Sequence, residues 1–140
     1  MGIIDINMDY ETRSPLDLRK TGAYRYAQSA EAICMAYSVN KEAPILWLPG
    51  DPLPDVYRDP EVVFHGWNCG FEMAIWDACC RRLYDWPELP AVTRWRDSMA
   101  QAQLAGLPAG LAACGNAFGV PQDFAKNKRG RYLIQRLCSP

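Results

Sequence analysis

Residues 2–11, GIIDINMDYE, decide the fold class, because apolar and polar side chains alternate along them. Successive side chains of a β-strand point to opposite faces of a sheet. The pattern therefore predicts a strand with one face for the core and one polar face. The apolar face carries Ile4, Ile6, Met8 and Tyr10, and the polar face carries Asp5, Asn7, Asp9 and Glu11.

The rest of the chain continues this strand into a single α/β domain over residues 1–140. Strands are predicted over 32–39, 45–48, 62–64 and 93–97, and helices over 71–84, 98–105, 109–118 and 130–138. Residues 16–27 are predicted as a connector, 40–44 as a hairpin turn and 50–60 as a loop with at most a short helical turn. Most helices then follow the strands, as in a mixed sheet with flanking helices.

Charge is distributed unevenly along the 140 residues, although the net charge is only −1. Lys126, Lys128, Arg129, Arg131 and Arg136 lie in the last 15 residues, which contain no acid, whereas residues 1–125 carry 10 basic and 16 acidic side chains. A basic segment of this kind suits nucleic-acid phosphates. The alternative interpretation is a solvated helix end.

The six cysteines and the single histidine exclude several classes of site. The cysteines form no C-x-x-C pair and follow no signal peptide, which predicts reduced thiols in a cytoplasmic protein. One histidine disfavours zinc sites and Ser-His or Cys-His catalysis, and no Gly-rich nucleotide-binding loop is present. No apolar run reaches the roughly 18–20 residues that span a bilayer. Carboxylates are left as the candidate chemical groups.

Asp9 and Glu11 are the first candidate pair, because residues i and i+2 of a strand share a face and lie about 7 Å apart. Mg²⁺ and Mn²⁺ prefer oxygen ligands, and one or two carboxylates suffice when substrate phosphates complete the shell. The alternative is an acidic, solvent-exposed strand face, which Asp5 and Asn7 also favour.

Glu72 is the third candidate, in the first turn of the helix that follows the strand at 62–64. This position predicts a carboxylate near the end of a neighbouring strand, pointing outward. The alternative is an acid that only complements the helix dipole. His65 is interpreted as a hydrogen-bonded structural side chain rather than a catalyst.

Four segments in this order resemble the 3′–5′ exonuclease module of phage-type family A DNA polymerases, an RNase H-like module of the DEDD exonucleases. They are DYETRSPLDLRKTGAYRYAQSAEAICMAYSV (residues 9–39), VVFHGWNCGFEMAIWD (62–77), RWRDSMAQAQLAGLP (94–108) and KNKRGRYLIQRL (126–137). The four segments are distributed from residue 9 to residue 137, so the resemblance extends over nearly the whole chain, and their shared order makes the match more specific than D-x-E alone.

The resemblance implies an RNase H-like mixed sheet and a two-metal site for Mg²⁺ or Mn²⁺. Asp9 and Glu11 fall on the metal ligands of the first motif, and Glu72 falls on the acid of the second. Asn68 falls on that motif's Asn, and Asp97 is expected to act as a structural or substrate-side acid close by. The implied partner is the single-stranded 3′ end of DNA.

The third motif of that family, a Tyr or His followed four or five residues later by a carboxylate, has no counterpart here. After Asp97 the only acid is Asp123, preceded four residues earlier by Gly119. The expectation is therefore a domain with an incomplete C-terminal part, one incomplete metal site and weak or no activity by itself. Alternatives are a non-catalytic module that binds nucleic acid or a polymerase on another chain, or an unstable fragment.

Overall fold

The protein is built on a five-stranded sheet, in a computed structural model that describes residues 2–121, 132, 133 and 136. The strands are β1 (Ile4–Arg13), β2 (Glu31–Val39), β3 (Ile45–Trp47), β4 (Val62–Gly66) and β5 (Trp95–Asp97). Their spatial order is β3-β2-β1-β4-β5. Strand β2 runs antiparallel to β1 and β3, whereas β4 runs parallel to β1 and β5. The predicted α/β fold with a mixed sheet is confirmed, and it is consistent with an RNase H-like fold.

The helices lie between and after these strands. They are α1 (Leu18–Thr21), α2 (Ala23–Ser29), α3 (Cys69–Ala74), α4 (Arg81–Tyr84), α5 (Ser98–Leu104) and α6 (Leu111–Ala117). A π-helical stretch, Ile75–Cys80, joins α3 to α4, and short 3₁₀ turns occupy Asp55–Arg58 and Val92–Arg94. In the described part of the chain, no helix is both long and apolar enough to cross a membrane.

Strand β1 divides its side chains between two environments, as its alternation predicts. Ile6, Met8 and Tyr10 are buried, whereas Asn7 and Asp9 are exposed. We call the side of the sheet that carries Ile6, Met8 and Tyr10 the core face, and the side that carries Asn7 and Asp9 the open face. The register continues this division onto β2, because Tyr10 pairs with Met35 and Asp9 pairs with Ala36.

The core face is filled largely by aromatic side chains. Trp76 of the π-helical stretch is fully buried, and its ring centre lies 4.9 Å from that of Trp86 and 5.4 Å from that of Phe64. Aromatic pairs at such distances contribute roughly 0.5–1.5 kcal/mol beyond the area they bury. This packing holds the helix that begins with α3 firmly against β4, and that helix carries Glu72.

The structure corrects the prediction for residues 16–27, which form α1 and α2 instead of a connector. Asp17 begins α1 by accepting a hydrogen bond from the Arg19 backbone N–H at 2.9 Å. Gly22, at a φ of 77°, ends α1 and begins α2. Only Tyr26 and Ala27 of these two helices are buried, so the segment lacks the long apolar stripe that predicts a helix.

The other predicted elements agree with the structure within a few residues. The hairpin turn contains Asn40 and Lys41 at positive φ, and the predicted helix at 71–84 begins two residues earlier, at Cys69. The predicted last helix, 130–138, lies mostly outside the described residues; the described positions 132, 133 and 136 are helical.

Candidate active site

Strand β1 carries two of the candidate ligands on the open face. Asp9 is exposed and pairs in register with Ala36, whereas Glu11 is half-buried and pairs with Cys34. The register shifts directly after Glu11, between Glu11 and Thr12. The two carboxylates thus lie on the same side of one strand, next to Ala36 and Cys34 of β2.

Glu72 in the first turn of α3 is buried, with 2% of its surface exposed, and therefore does not point outward as predicted. A Cβ atom placed on Gly66 would lie 3.6 Å from Glu72 Oε2 and 3.6 Å from the Met8 carbonyl oxygen. Because Met8 directly precedes Asp9, the Glu72 carboxyl lies where β4 ends beside β1. It approaches this point from the side of the core face.

The buried Glu72 Oε2 has no hydrogen-bond partner. Burial raises the pKa of this carboxyl to about 8, partly opposed by a hydrogen bond from its own backbone N–H and reinforced by the charges of Asp9 and Asp97. A buried, unpaired carboxylate is unfavourable unless it takes up a proton or pairs with a cation. At neutral pH the metal-free carboxyl is therefore mostly protonated.

These features fit a divalent cation, which is hard, prefers oxygen ligands and would offset the charge of Glu72. Among the described residues, however, no three His, Cys, Asp or Glu side chains already form a cluster that could hold a metal ion. Asp9 and Glu11 lie on the open face, whereas Glu72 approaches the end of β4 from the core face.

Gly66 is a site residue that the sequence analysis did not identify. Its missing side chain leaves room for the Cys69 thiol as well as for Glu72, because a Cβ there would lie 3.2 Å from Cys69 Sγ. The available signal was a glycine at the end of an apolar strand, which often marks close approach of another element.

The Cys69 thiol is a packing group in this arrangement. It donates a hydrogen bond to the Arg96 carbonyl oxygen at 3.2 Å, and burial, with the charges of Asp97 and Glu72, raises its pKa to about 11. The thiol is therefore protonated at neutral pH, which argues against a role as nucleophile or metal ligand.

Asp97 and Asn68 meet at the start of α3. The Asp97 carboxylate accepts hydrogen bonds from the backbone N–H groups of Asn68 at 3.0 Å and Cys69 at 3.1 Å. Asn68 is exposed and adopts a left-handed conformation, with φ 67° and ψ 59°. Asp97 is thus hydrogen-bonded to the start of the helix that carries Glu72.

His65 lies on the open face, where its ring nitrogen Nε2 is 2.7 Å from Asp5 Oδ1. His65 also pairs in register with Asn7 on β1 and Arg96 on β5. The interpretation of His65 as a hydrogen-bonded side chain of the sheet is therefore confirmed.

Most of the predicted basic segment, namely Lys126, Lys128, Arg129 and Arg131, lies outside the described residues. Arg136 is described and exposed, and its Nη1 donates a hydrogen bond to the Tyr132 hydroxyl at 2.9 Å. The role of these residues in nucleic-acid binding stays a prediction.

Comparison with known proteins relates the chain to a phage DNA polymerase. No protein-family model matches the sequence. Over 143 aligned positions the chain is 29% identical to a DNA polymerase of Bacillus phage SP02, and the match covers 96% of this chain and 21% of that polymerase. The chain therefore spans about a fifth of the length of its relative and is similar to part of a phage DNA polymerase.

Proposed function

We propose that this chain is a 3′–5′ exonuclease module of a phage-type DNA polymerase, and that Asp9, Glu11 and Glu72 are its metal ligands. The polymerase relative supports a role in DNA metabolism, and the mixed sheet is consistent with the RNase H-like fold that the motifs imply. The reaction would be hydrolysis of the terminal phosphodiester bond of a single-stranded 3′ end.

The observation that carries the proposal is the buried Glu72 Oε2, which lacks a partner at the end of the strand next to Asp9. An acid that served only the helix dipole would be stable in solvent at this position. Burial without a hydrogen bond instead favours a cation as the missing partner.

Mg²⁺ or Mn²⁺ held by these carboxylates would supply a metal-activated hydroxide and would stabilise the charge on the phosphate and the leaving 3′ oxygen. Glu72 would release its proton from the carboxyl group to become a ligand. Asp9 and Glu11 would bring negative charge from the open face, where the substrate phosphate would bind. Asn68, which is exposed at the start of α3, would contact the substrate.

The test measures nucleotide release from a 3′-labelled single-stranded oligonucleotide in Mn²⁺. We expect Asp9→Ala and Glu72→Gln each to reduce release by at least about 10²-fold, since a misplaced nucleophile alone reduces the rate by that order. Asp5→Asn is the matched control, because Asp5 shares the strand and the face of Asp9 but contacts His65. Release that survives Asp9→Ala would contradict the proposed site.

A second candidate function is a non-catalytic module that binds DNA or a polymerase partner, and the absence of Tyr-x-x-x-Asp between Asp97 and residue 140 favours it. In that case the wild-type chain binds the oligonucleotide without degrading it in Mn²⁺. Addition of a C-terminal segment with Tyr-x-x-x-Asp distinguishes the two functions. Restored release supports an incomplete exonuclease, and continued inactivity supports the binding module.

The basic segment is proposed to contact phosphates of the bound strand. We expect the double change Lys128→Glu and Arg131→Glu to weaken oligonucleotide binding and to flatten its dependence on salt, because each phosphate contact contributes to that slope. Arg19→Glu with Lys20→Glu is the matched charge reversal at the exposed helix α1. Equal losses in both double variants would contradict a specific role for the segment.

A further inference from the structure

Asp97 joins two helices through one carboxylate. Its Oδ1 accepts hydrogen bonds from the N–H groups of Asn68 at 3.0 Å, Met99 at 2.9 Å and Ala100 at 3.3 Å. Its Oδ2 accepts a hydrogen bond from the N–H of Cys69 at 3.1 Å. Asp97 thus caps the N-terminus of α5, which it precedes, and also the N-terminus of α3, which begins 28 residues earlier.

Helix α3 has no N-cap of its own. Asn68 occupies the cap position in a left-handed conformation, and its side chain makes no capping hydrogen bond. The first N–H groups of a helix otherwise need a partner, usually a side-chain oxygen at that position. Asp97 supplies this oxygen from the end of the neighbouring strand β5 and, together with the bond from the Cys69 thiol to the Arg96 carbonyl oxygen, fixes the start of α3 relative to β5.

Glu72 stands three residues after Cys69, in the turn that Asp97 caps. Its carboxyl lies beside the space left at Gly66 and accepts a hydrogen bond from its own backbone N–H, whereas Oε2 has no hydrogen-bond partner. A small displacement of the first turn of α3 would therefore move Glu72 relative to Asp9. Groups that orient metal ligands in this indirect way typically change metal affinity by 10–100-fold when they are replaced.

We propose that Asp97 is a positioning residue, which sets the Glu72 carboxyl against β1 by capping α3 from the end of β5. The observed hydrogen bonds establish the cap, whereas its consequence for metal binding rests on the proposed function. Asp97 also brings a negative charge near Glu72, so a test must separate the geometry of the cap from the loss of that charge.

Two substitutions separate these effects, since both remove the charge. Asp97→Asn keeps one acceptor oxygen and is expected to retain the bonds now made by Oδ1, losing only the bond to Cys69. Asp97→Ser keeps a good N-cap for α5, but its short side chain does not reach α3. Asp17→Ser is the control, because Asp17 caps α1 in the same way, away from Glu72.

The first measurement is amide hydrogen exchange by NMR on the full chain. In Asp97→Ser we expect exchange at Asn68 and Cys69 to rise at least about 10-fold, with Met99 or Ala100 still protected. In Asp97→Asn the increase is expected at Cys69 alone. Unchanged exchange at Asn68 and Cys69 in Asp97→Ser would contradict the capping of α3 by Asp97.

The second measurement is the dissociation constant for Mn²⁺ together with the ¹³C shift of the Glu72 carboxyl in the metal-free protein. We expect Asp97→Ser to bind Mn²⁺ about 10-fold more weakly than Asp97→Asn, and to move the Glu72 signal, whereas Asp17→Ser changes neither. Equal Mn²⁺ affinities of Asp97→Ser and Asp97→Asn, with an unmoved Glu72 signal, would show that Asp97 is only a structural cap and does not position Glu72. If the wild-type chain binds no Mn²⁺, the proposed function fails, and the Glu72 signal alone decides the positioning role.

Discussion

The two faces of the sheet differ sharply although neighbouring residues of one strand build them. On β1, Ile6 is fully buried beneath the aromatic core, and the adjacent Asn7 is exposed on the open face. The core face holds the fold together by excluding water from apolar surface. The open face contributes little to that burial and is therefore available for Asp9 and Glu11.

Glu72 is the exception that makes this comparison informative. It approaches the end of the sheet from the core side, where a carboxyl group is otherwise unfavourable, and its Oε2 lacks a partner. A charged group placed against the core lowers stability unless something compensates for it. This difference between the faces supports the proposal that Glu72 serves metal binding rather than folding.

The largest expected effect is a difference in stability between substitutions on the two faces, at neighbouring residues of β1. Ile6→Ala is expected to lower the free energy of unfolding by about 2–5 kcal/mol, since it leaves a cavity in a packed core. Asn7→Ala is expected to change it by no more than about 0.5 kcal/mol. Urea denaturation of both variants measures this difference. Similar losses for the two variants would show that the open face is covered and packed.

The next effect concerns Glu72 and depends on pH. An unfolded Glu loses its proton near pH 4.5, but folding raises the pKa of Glu72 to about 8. Stability of the metal-free protein therefore falls as pH rises from about 4.5 to 8, by about 1.4 kcal/mol per pH unit at most. Glu72→Gln removes this dependence and is expected to be more stable than the wild type by up to about 3 kcal/mol at pH 7.

Thermal denaturation between pH 4.5 and 8.5, without metal, checks this expectation. The Tm of Glu72→Gln is expected to diverge upward from that of the wild type as pH rises and to stop diverging above about pH 8. The exposed Glu61→Gln serves as the matched control. A constant difference across the pH range would show that Glu72 is ionised or solvated in the folded protein.

The smallest expected effect concerns Gly66, whose missing side chain leaves the space in which the Glu72 carboxyl group lies on the core side. Gly66→Ala places a Cβ 3.2 Å from Cys69 Sγ and is expected to destabilise the protein by about 1–3 kcal/mol. Adding Cys69→Ala removes the close contact and is expected to recover part of the loss. Gly70→Ala is the control, because its Cβ would meet only Asn68 Oδ1, at 4.0 Å. If Gly66→Ala is neutral in urea denaturation, the end of β4 is looser than its contacts indicate.

Several features follow from local sequence alone. The alternation over residues 2–11 predicts both faces of β1, because side chains of a strand alternate whatever lies around it. Hairpin residues 40–44 and the apolar spacing over 71–84 likewise predict their elements from local chemistry. Asp9 and Glu11 were therefore recognisable as neighbours on one face, since their relation is set within two residues of one strand.

Other features were decided only by the tertiary structure. The burial of Glu72 depends on Gly66 and on the meeting of β4 with β1, and the role of Asp97 depends on β5 lying next to β4. Helices α1 and α2 arise from a cap at Asp17 and a glycine turn, without an apolar stripe. Local periodicity reports which way a side chain points within its own element. Desolvation and hydrogen bonding between distant segments depend on which elements pack together, and that is determined only when the chain folds.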